Sequence, residues 1–526
     1  MADVKLIILE TSDLHGAMLP IQYSSNTQAD IGLSKLASYI KKVKKEHEHI
    51  LVIDNGDFIQ GTPLASYYFH MLRQEMHPMI VGMNHLQYDA TVLGNHEFNY
   101  GLDILIKAAD DATFPFLSCN ILNRETSDPF FGEPYIIKTF SSGIKAAVLG
   151  VTTHYIPNWE KPAHIEGLLF EDAVTATSKW VKHIRETEKP DIMIVSYHGG
   201  FEVDLATGES IEPVEKGENQ AYRLCTEVEG IDVLLTGHQH RQEQQMVNGV
   251  AIVQPGYNGA AIGQITAEFV KENDQYKLQQ ATPETILAAD LETDERLVDL
   301  IKSYEQGTQK WLDEVLGTVE GDMIIHDPFQ ARLAEHPMIE LINKVQMEAA
   351  NVDISSTALF HNGSPGLPHN ITMRDIVANY VYPNSLAVIE VTGEEMKQAL
   401  ERSASYFTLI DHKPAVSAEF SYPKPQHYNY DMWEGIEYTI DLTRPPGSRI
   451  TEATYRGKPL QSDQLYTVVM NNYRAGGGGD YLMFKGKKVI KEIQTDMTEL
   501  LSAYIRKRGT ITAEVNNNWT VITPSV

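Results

Sequence analysis

Six strongly apolar runs recur along the first half of the chain, and each breaks into a polar or glycine-bearing turn. They are VKLIILE (4–10), the start of ILVIDNGDFIQGTP (50–63), the start of YDATVLGNHEFNYG (88–101), AAVLGVTTHY (146–155), DIMIVSYHGG (191–200) and IDVLLTGHQH (231–240). Near-continuous Val, Ile and Leu over strand length is the pattern of a strand covered on both faces. Helical spacing lies between the runs. In ADIGLSKLASYIKKVKKEHE (29–48), Leu33, Leu36, Ile40 and Val43 fall on one face, and SYYFHMLRQEM reads as a further helix. Strands alternating with helices predict an α/β fold with helices covering a sheet. In such sheets the site gathers at the strand carboxyl ends.

The pattern changes after AIVQPGYNGAAIGQITAEFV (251–270), which predicts two shorter strands. DERLVDLIKSYEQGTQKWLDEV (294–315) predicts a charged amphipathic helix, and GTVEGDMIIHDPFQARLAEHP (317–337) has the Gly, Pro and charge of a connector. A second domain is expected from the helix PMIELINKVQMEAAN onward. It has helices in TMRDIVANY and GEEMKQALERS, a strand at LAVIEV (386–391) and a strand that opens into four successive glycines, 476–479. The expected division is 1–316, a connector at 317–337, and 338–526. No internal repeat joins the halves.

At 526 residues the chain is too long for one core. Asp and Glu number 71 against 43 Lys and Arg, a net charge of −28. That balance argues against polymeric nucleic acid or an anionic membrane as partner, since both need basic surface. It leaves room for small phosphates held through metal ions. Cys119 and Cys225 form no CxxC, so neither a disulfide framework nor a cysteine-zinc site is implied. No run approaches the roughly 20 apolar residues of a membrane span. The first residues lack a basic segment followed by an apolar one. A cytoplasmic protein, monomeric or weakly oligomeric, is the expectation for the sequence as it stands.

The turns after the runs carry the chemistry. Asp13, His15, Asp57, Asn95, His198, His238 and His240 all follow predicted strands. Singly, each motif has a plainer reading: an Asx turn at 13–15, a helix start at GNHE, a loop at HGG. Five such coincidences at successive strand ends argue for a joint role. Imidazole, carboxylate and amide donors suit zinc, manganese, iron or cobalt, and fit calcium or magnesium poorly. Seven donors exceed one tetrahedral site and suit two metals sharing a carboxylate. Two aspartates leave such a pair with net positive charge, which is what a phosphate needs.

In this order, D-x-H, G-D-x-x-Q-G-T-P, G-N-H-E-F, H-G-G and G-H-x-H resemble the calcineurin-like metallophosphoesterases. More narrowly, they resemble the 5′-nucleotidase / 2′,3′-cyclic-nucleotide phosphodiesterase family. The resemblance implies a four-layer αββα sandwich followed by a smaller α/β substrate-binding domain, with two divalent metals (manganese, zinc, cobalt or iron). It implies that Asp57 bridges them, that Asp13, His15 and His240 complete one site, and that Asn95, His198 and His238 complete the other. His96 matches the family's second-sphere histidine, which stabilises the transition state or leaving group. Many relatives carry Asp three residues later, where this chain has Asn99.

In the second domain the resemblance implies that Tyr430 and Tyr481 sandwich the nucleobase, with Tyr428 a nearby substitute. Gly477 and Gly478 would lie in the substrate loop and Asn362 near the ligand. Arg474 would supply a cation, because no arginine follows Asn362 at the spacing usual in 5′-nucleotidases. NYRAGGGG and ITMRDIV look more like the cyclic-phosphodiesterase/3′-nucleotidase branch. The implied activity is 2′,3′-cyclic-nucleotide 2′-phosphodiesterase with 3′-nucleotidase activity, by in-line attack of a metal-activated water on a nucleotide. The alternatives are a 5′-nucleotidase and a nucleotide sensor with a silent metal site. Family members are often secreted or periplasmic.

Overall fold

The six apolar runs become the parallel strands of two six-stranded sheets. The computed structural model describes residues 4–131, 133–158, 160–210, 217–273, 275–382, 384–422, 425–493 and 495–524. The first sheet runs in the order Gln275–Leu287, Ala261–Glu272, Val4–Thr11, Ile50–Asp54, Ala90–Val92, Phe116–Leu117. The second runs Gln242–Val247, Val250–Pro255, Val233–Thr236, Ile192–His198, Lys145–Thr152, Tyr135–Thr139. Leu6, Ile8, Leu51 and Ile53 of one sheet share a buried cluster with Val148, Ile194, Val233 and Leu235 of the other. The sheets therefore pack face to face. Val174, Val181, Ile184 and Leu224, from the helices Ala173–Thr187 and Ala221–Glu227, cover the outer face of the second sheet. The helix Leu33–Glu46 lies against the first and buries Leu33, Leu36, Ile40 and Val43. The result is the four-layer αββα sandwich.

Register decides where the site lies. Thr11 pairs with Asp54, and Asp54 with Thr91. On the other sheet, His198 pairs with Thr152 and Tyr197 with Thr236. The parallel strands thus end in step, and their following loops leave from one edge of the sandwich.

The chain divides into two compact units, up to Gln309 and from Lys310. Three expectations change. The segment 251–270 holds not two short strands but Val250–Pro255 and the twelve-residue Ala261–Glu272. The latter pairs along its length with Gln275–Leu287, whose polar sequence concealed a long edge strand. The helix expected at 294–315 breaks into Glu295–Leu300 and Lys302–Leu312. Residues 317–337 are not a connector. Val315–Glu320 pairs with Asn370–Thr372 and Thr510–Thr512, and Val319, Met323, Ile325 and Ala331 enter the second unit's core. Its few apolar side chains are spaced to face inward, while the intervening Gly, Asp and Pro read as loop.

The second unit centres on a five-stranded sheet, ordered Asp431–Glu434, Ser355–Ala358, Leu465–Asn471, Leu386–Thr392, Val489–Ile493. Thr372 with Asp375, and Thr392 with Glu395, form capping boxes that start the helices Met373–Asn379 and Gly393–Ala404. Among the described residues, no helix is long and apolar enough to cross a membrane.

A histidine cap makes the first unit acid-sensitive. His77 Nδ1 accepts from the Met79 amide at the start of the helix Pro78–Leu86, and its Nε2–H donates to the Ile59 carbonyl at 3.0 Å. The contact at Nδ1 requires the neutral ring, whereas the Nε2–H donates in either form. Burial pushes His77 down from 6.5 to about 3. The folded state therefore favours the neutral form. That stabilisation is complete above the unfolded value of 6.5 and fades as pH falls toward 3. His77→Asn keeps a capping oxygen without a titrating ring. Its melting temperature should fall less than the wild type's between pH 6.5 and 4, while His77→Ala should lose about 1 kcal/mol at neutral pH. Parallel acid slopes for wild type and His77→Asn would refute the assignment.

Candidate metal centre

All seven donor residues expected from the sequence converge at the common edge of the sheets. Five of them hold left-handed backbone: Asp13 at φ 52°, His15 at 47°, Asp57 at 58°, His238 at 68° and His240 at 60°. Each turn reverses the chain directly after its strand, so side chains that would diverge point back to one place. Two glycines make room. A Cβ at Gly94 would collide with Asp57 Oδ1, and one at Gly237 with Ser12 Oγ and Asp13 Oδ2.

The donors fall into three groups, Asp13–His15–His240, His15–Asp57–His96 and Asp57–His198–His238, which overlap at His15 and Asp57. His15 Nε2 lies 3.0 Å from His240 Nε2, and Asp13 Oδ1 lies 3.5 Å from the latter. Asp57 Oδ2 is 3.1 Å from His198 Nε2, while Asn95 Oδ1 is 3.2 Å from His198 Nε2 and 2.8 Å from His238 Nδ1. The outward nitrogens fix the tautomers. His15 Nδ1–H donates to the Gln60 carbonyl at 3.1 Å, and His198 Nδ1–H donates to the Asn55 carbonyl at 2.6 Å. His238 Nε2–H donates to Glu218 at 3.1 Å. With those hydrogens committed, His198 Nε2, His238 Nδ1, Asn95 Oδ1 and Asp57 Oδ2 direct four lone pairs into one space. Such an arrangement is repulsive unless a positive charge sits among them.

The titration of the buried groups says the same. Burial opposes a charged His198, yet the charge and hydrogen bond of Asp57 outweigh it and push the ring up to about 10. A proton is held where a cation belongs. Burial raises Asp13 to about 7, against the pull of His198. For Asp57, burial also raises the carboxyl, but His198 and His96 dominate and hold it well below its ordinary value. The donor chemistry fits divalent cations, and Asp57 belongs to two of the groups.

Sequence reasoning missed the residue that joins these loops. Glu97 is fully buried and accepts from the amides of Asp57 (2.8 Å), Phe58 (2.9 Å), Ile59 (3.2 Å) and Gly94 (2.7 Å). It ties the turn after Ile50–Asp54 to the turn after Ala90–Val92. The signal was present in G-N-H-E, three residues after Gly94, but only the fold shows which amides it meets. His96 donates its backbone N–H to Asp57 Oδ1 at 2.7 Å, and its Nδ1 contacts Asn99 Oδ1 at 2.6 Å.

Three expectations for the second unit are corrected. Tyr430 and Tyr481 are fully buried and cannot sandwich a base. Tyr430 packs on Tyr406 with centroids 4.8 Å apart and donates to the Arg332 carbonyl. Tyr481 lies beneath the Arg474 guanidinium, with its hydroxyl at Ser403 and the Asn429 carbonyl. Core packing won because both rings join the second unit's hydrophobic cluster and both hydroxyls find partners there. Arg474 is likewise buried, pairs with Asp431 at 2.9 and 3.0 Å and donates to the Tyr428 and Gly478 carbonyls, so its charge is already matched within the protein. It shapes the glycine loop from within, where Gly477 holds φ 91° and Gly478 lies under the Tyr473 ring. Asn362 stays at an accessible place, contacting Arg332 at 2.8 Å and His427 at 3.0 Å. Arg332, missed from the sequence, is buried, and its Nε has no hydrogen-bond partner among the described residues. Tyr428 and Tyr473 are half-buried, with ring centroids 6.4 Å apart.

Comparison with known proteins agrees with this division. Residues 6–242 match the calcineurin-like phosphoesterase family, and residues 315–486 match the 5′-nucleotidase C-terminal domain. A 2′,3′-cyclic-nucleotide 2′-phosphodiesterase/3′-nucleotidase of Yersinia enterocolitica is 28% identical, over 99% of this chain and 89% of its own length. The trifunctional nucleotide phosphoesterase protein YfkN of Bacillus subtilis is also 28% identical over 98% of this chain, which spans 39% of that protein. A candidate 5′-nucleotidase from Staphylococcus aureus, solved with alpha-ketoglutarate, superposes with a TM-score of 0.89. It is 33% identical, covering 98% of this chain and 100% of that one.

Replacing Glu97 by Gln turns one amide donor against a backbone N–H. It should lower unfolding free energy by about 1–3 kcal/mol and loosen metal retention, measured by denaturant titration and elemental analysis. Unchanged stability would remove Glu97 from the framework of the site.

Proposed function

The chain belongs to the calcineurin-like phosphoesterases that carry a 5′-nucleotidase C-terminal domain, and from that premise we propose a specific activity. It is a metal-dependent phosphoester hydrolase. We propose that its substrates are nucleotides and that it acts as a 2′,3′-cyclic-nucleotide 2′-phosphodiesterase with 3′-nucleotidase activity. The observation that carries this reading is the seven-donor cluster in which backbone carbonyls and Glu218 turn the histidine lone pairs inward. Likeness over full length to the Yersinia enterocolitica protein supports the cyclic-nucleotide branch.

Two divalent cations, drawn from manganese, zinc, cobalt and iron, would lower the pKa of a shared water and clamp the phosphoryl oxygens for in-line displacement. Asp13, His15 and His240 would hold one, Asn95, His198 and His238 the other, and Asp57 would lie between them. His96 would stabilise the leaving oxygen through its Nε2, since Nδ1 is committed to Asn99. In the second unit, half-buried Tyr428 or Tyr473, whose rings meet edge to face, would offer a ring face to the base in place of the buried Tyr430 and Tyr481. Asn362, which is exposed and held by Arg332, would supply a polar contact to the ligand.

One observation favours a 5′-nucleotidase instead, the 33% identity to the Staphylococcus aureus structure. Product analysis on 2′,3′-cyclic AMP, 3′-AMP and 5′-AMP separates the two. The proposal expects turnover of the first two, and turnover of 5′-AMP alone would reverse it. Asp57→Ala should abolish hydrolysis and reduce bound metal from two equivalents. Full hydrolysis by that variant would refute a shared Asp57 site, and metal binding without any hydrolysis by the wild type would favour a sensor. Tyr428→Ala or Tyr473→Ala should cost about 1–3 kcal/mol in kcat/KM, chiefly through KM. Tyr481→Ala should lower Tm instead, and an unchanged KM in both of the first two would relocate the base.

A further inference from the structure

The histidine beside the metal donors is not held by a carboxylate directly. Asn99 Oδ1 meets His96 Nδ1 at 2.6 Å, and Asn99 Nδ2 donates to Glu160 Oε2 at 2.7 Å. Glu160 Oε1 accepts from the Lys161 amide at 2.8 Å and from His164 Nδ1 at 2.9 Å. Its side chain is only 5% exposed. The chemistry of each atom fixes this chain of contacts. A carboxylate accepts and never donates when ionised, so Asn99 must turn its NH2 toward Glu160 and its oxygen toward His96. An oxygen facing Nδ1 requires a hydrogen on that nitrogen, which leaves Nε2 as the ring atom for the substrate.

We propose that Glu160 is a positioning residue for the reaction. Acting through Asn99, it sets the tautomer and orientation of His96, and so takes over at one remove the part a carboxylate at position 99 would play. The proposal rests on the phosphoesterase reading above. Glu160 lies in the segment before the short helix Pro162–Ile165, 61 residues beyond Asn99, and nothing in its local sequence marks it.

The atom pattern allows a swap. In Glu160→Gln, the new NH2 either faces the donors of Lys161 and His164 or meets Asn99, which must then turn its oxygen to position 160 and its NH2 to His96 Nδ1, so the hydrogen is no longer held on Nδ1. In the double variant Asn99→Asp/Glu160→Gln, every contact is satisfied again. The amide now at position 160 donates its NH2 to the carboxylate now at position 99. The oxygen of that amide accepts from Lys161 and His164, and the carboxylate accepts from His96.

The experiment compares 3′-AMP with p-nitrophenyl phosphate, whose leaving group needs little stabilisation. Glu160→Gln should lower kcat for 3′-AMP about 10–100-fold, with KM and metal content unchanged and a much smaller loss on the p-nitrophenyl ester. The double variant should recover most of the 3′-AMP rate. Wild-type rates in Glu160→Gln, equal losses on both esters, or a double variant no better than the single would each overturn the proposal. Should Glu160→Gln misfold, Asn99→Asp against the double variant carries the same test. The glutamine must then improve on two facing carboxylates, and its failure to do so overturns the proposal. No hydrolysis of either ester by the wild type would refute the phosphoesterase reading instead.

Discussion

The site depends on chain reversal at strand ends. Asp13, His15, Asp57, His238 and His240 hold a backbone conformation that side-chain-bearing residues seldom adopt. Such residues cost of order 1–3 kcal/mol each, and they persist only where the surroundings over-determine them. Here the surroundings are two sheets whose parallel strands end in step, and the buried Glu97 carboxylate that gathers four amides from two turns. Without the face-to-face sheets there would be no common edge. Without the tight turns the side chains would leave that edge in different directions.

A second constraint is electrical. Buried carboxylates and imidazoles are unfavourable in isolation, and the centre offsets this by committing the outward nitrogens of His15, His198 and His238 to fixed acceptors. The remaining lone pairs face one another, so the protein keeps its strongest electrostatic demand at the place where positive charge is useful. The overall charge of −28 matters less to this local balance than short-range contacts, which orient the donors and bury Asp13, His15, Asp57 and His198.

The second unit shows the opposite outcome. Arg474, Asp431, Tyr430 and Tyr481 look functional in sequence because they flank a glycine run, yet they satisfy one another inside the core. Aromatic and guanidinium groups stack equally well on a ligand or on each other, and the choice depends on which side chains the short turns around the glycine run aim at the core. Half-buried Tyr428 and Tyr473 sit on the other side of that choice.

The apolar pattern was enough for an α/β sheet covered on both faces, because near-continuous apolar runs can be satisfied only by burial on both faces; the four-layer arrangement was implied by the family resemblance. The same pattern also gathered the candidate metal donors, because all seven lie at or within a few residues of the end of such a run, and a strand's end is a local property. It misread 317–337 and 275–287, where alternation is diluted by Gly, Asp and Gln and pairing with distant strands supplies the order. Only the tertiary structure decided which tyrosines are exposed, what Glu97 grips and how Asn99 is turned. Those outcomes depend on atoms brought together from positions tens of residues apart, as Asn99 and Glu160 are, and no local pattern records them.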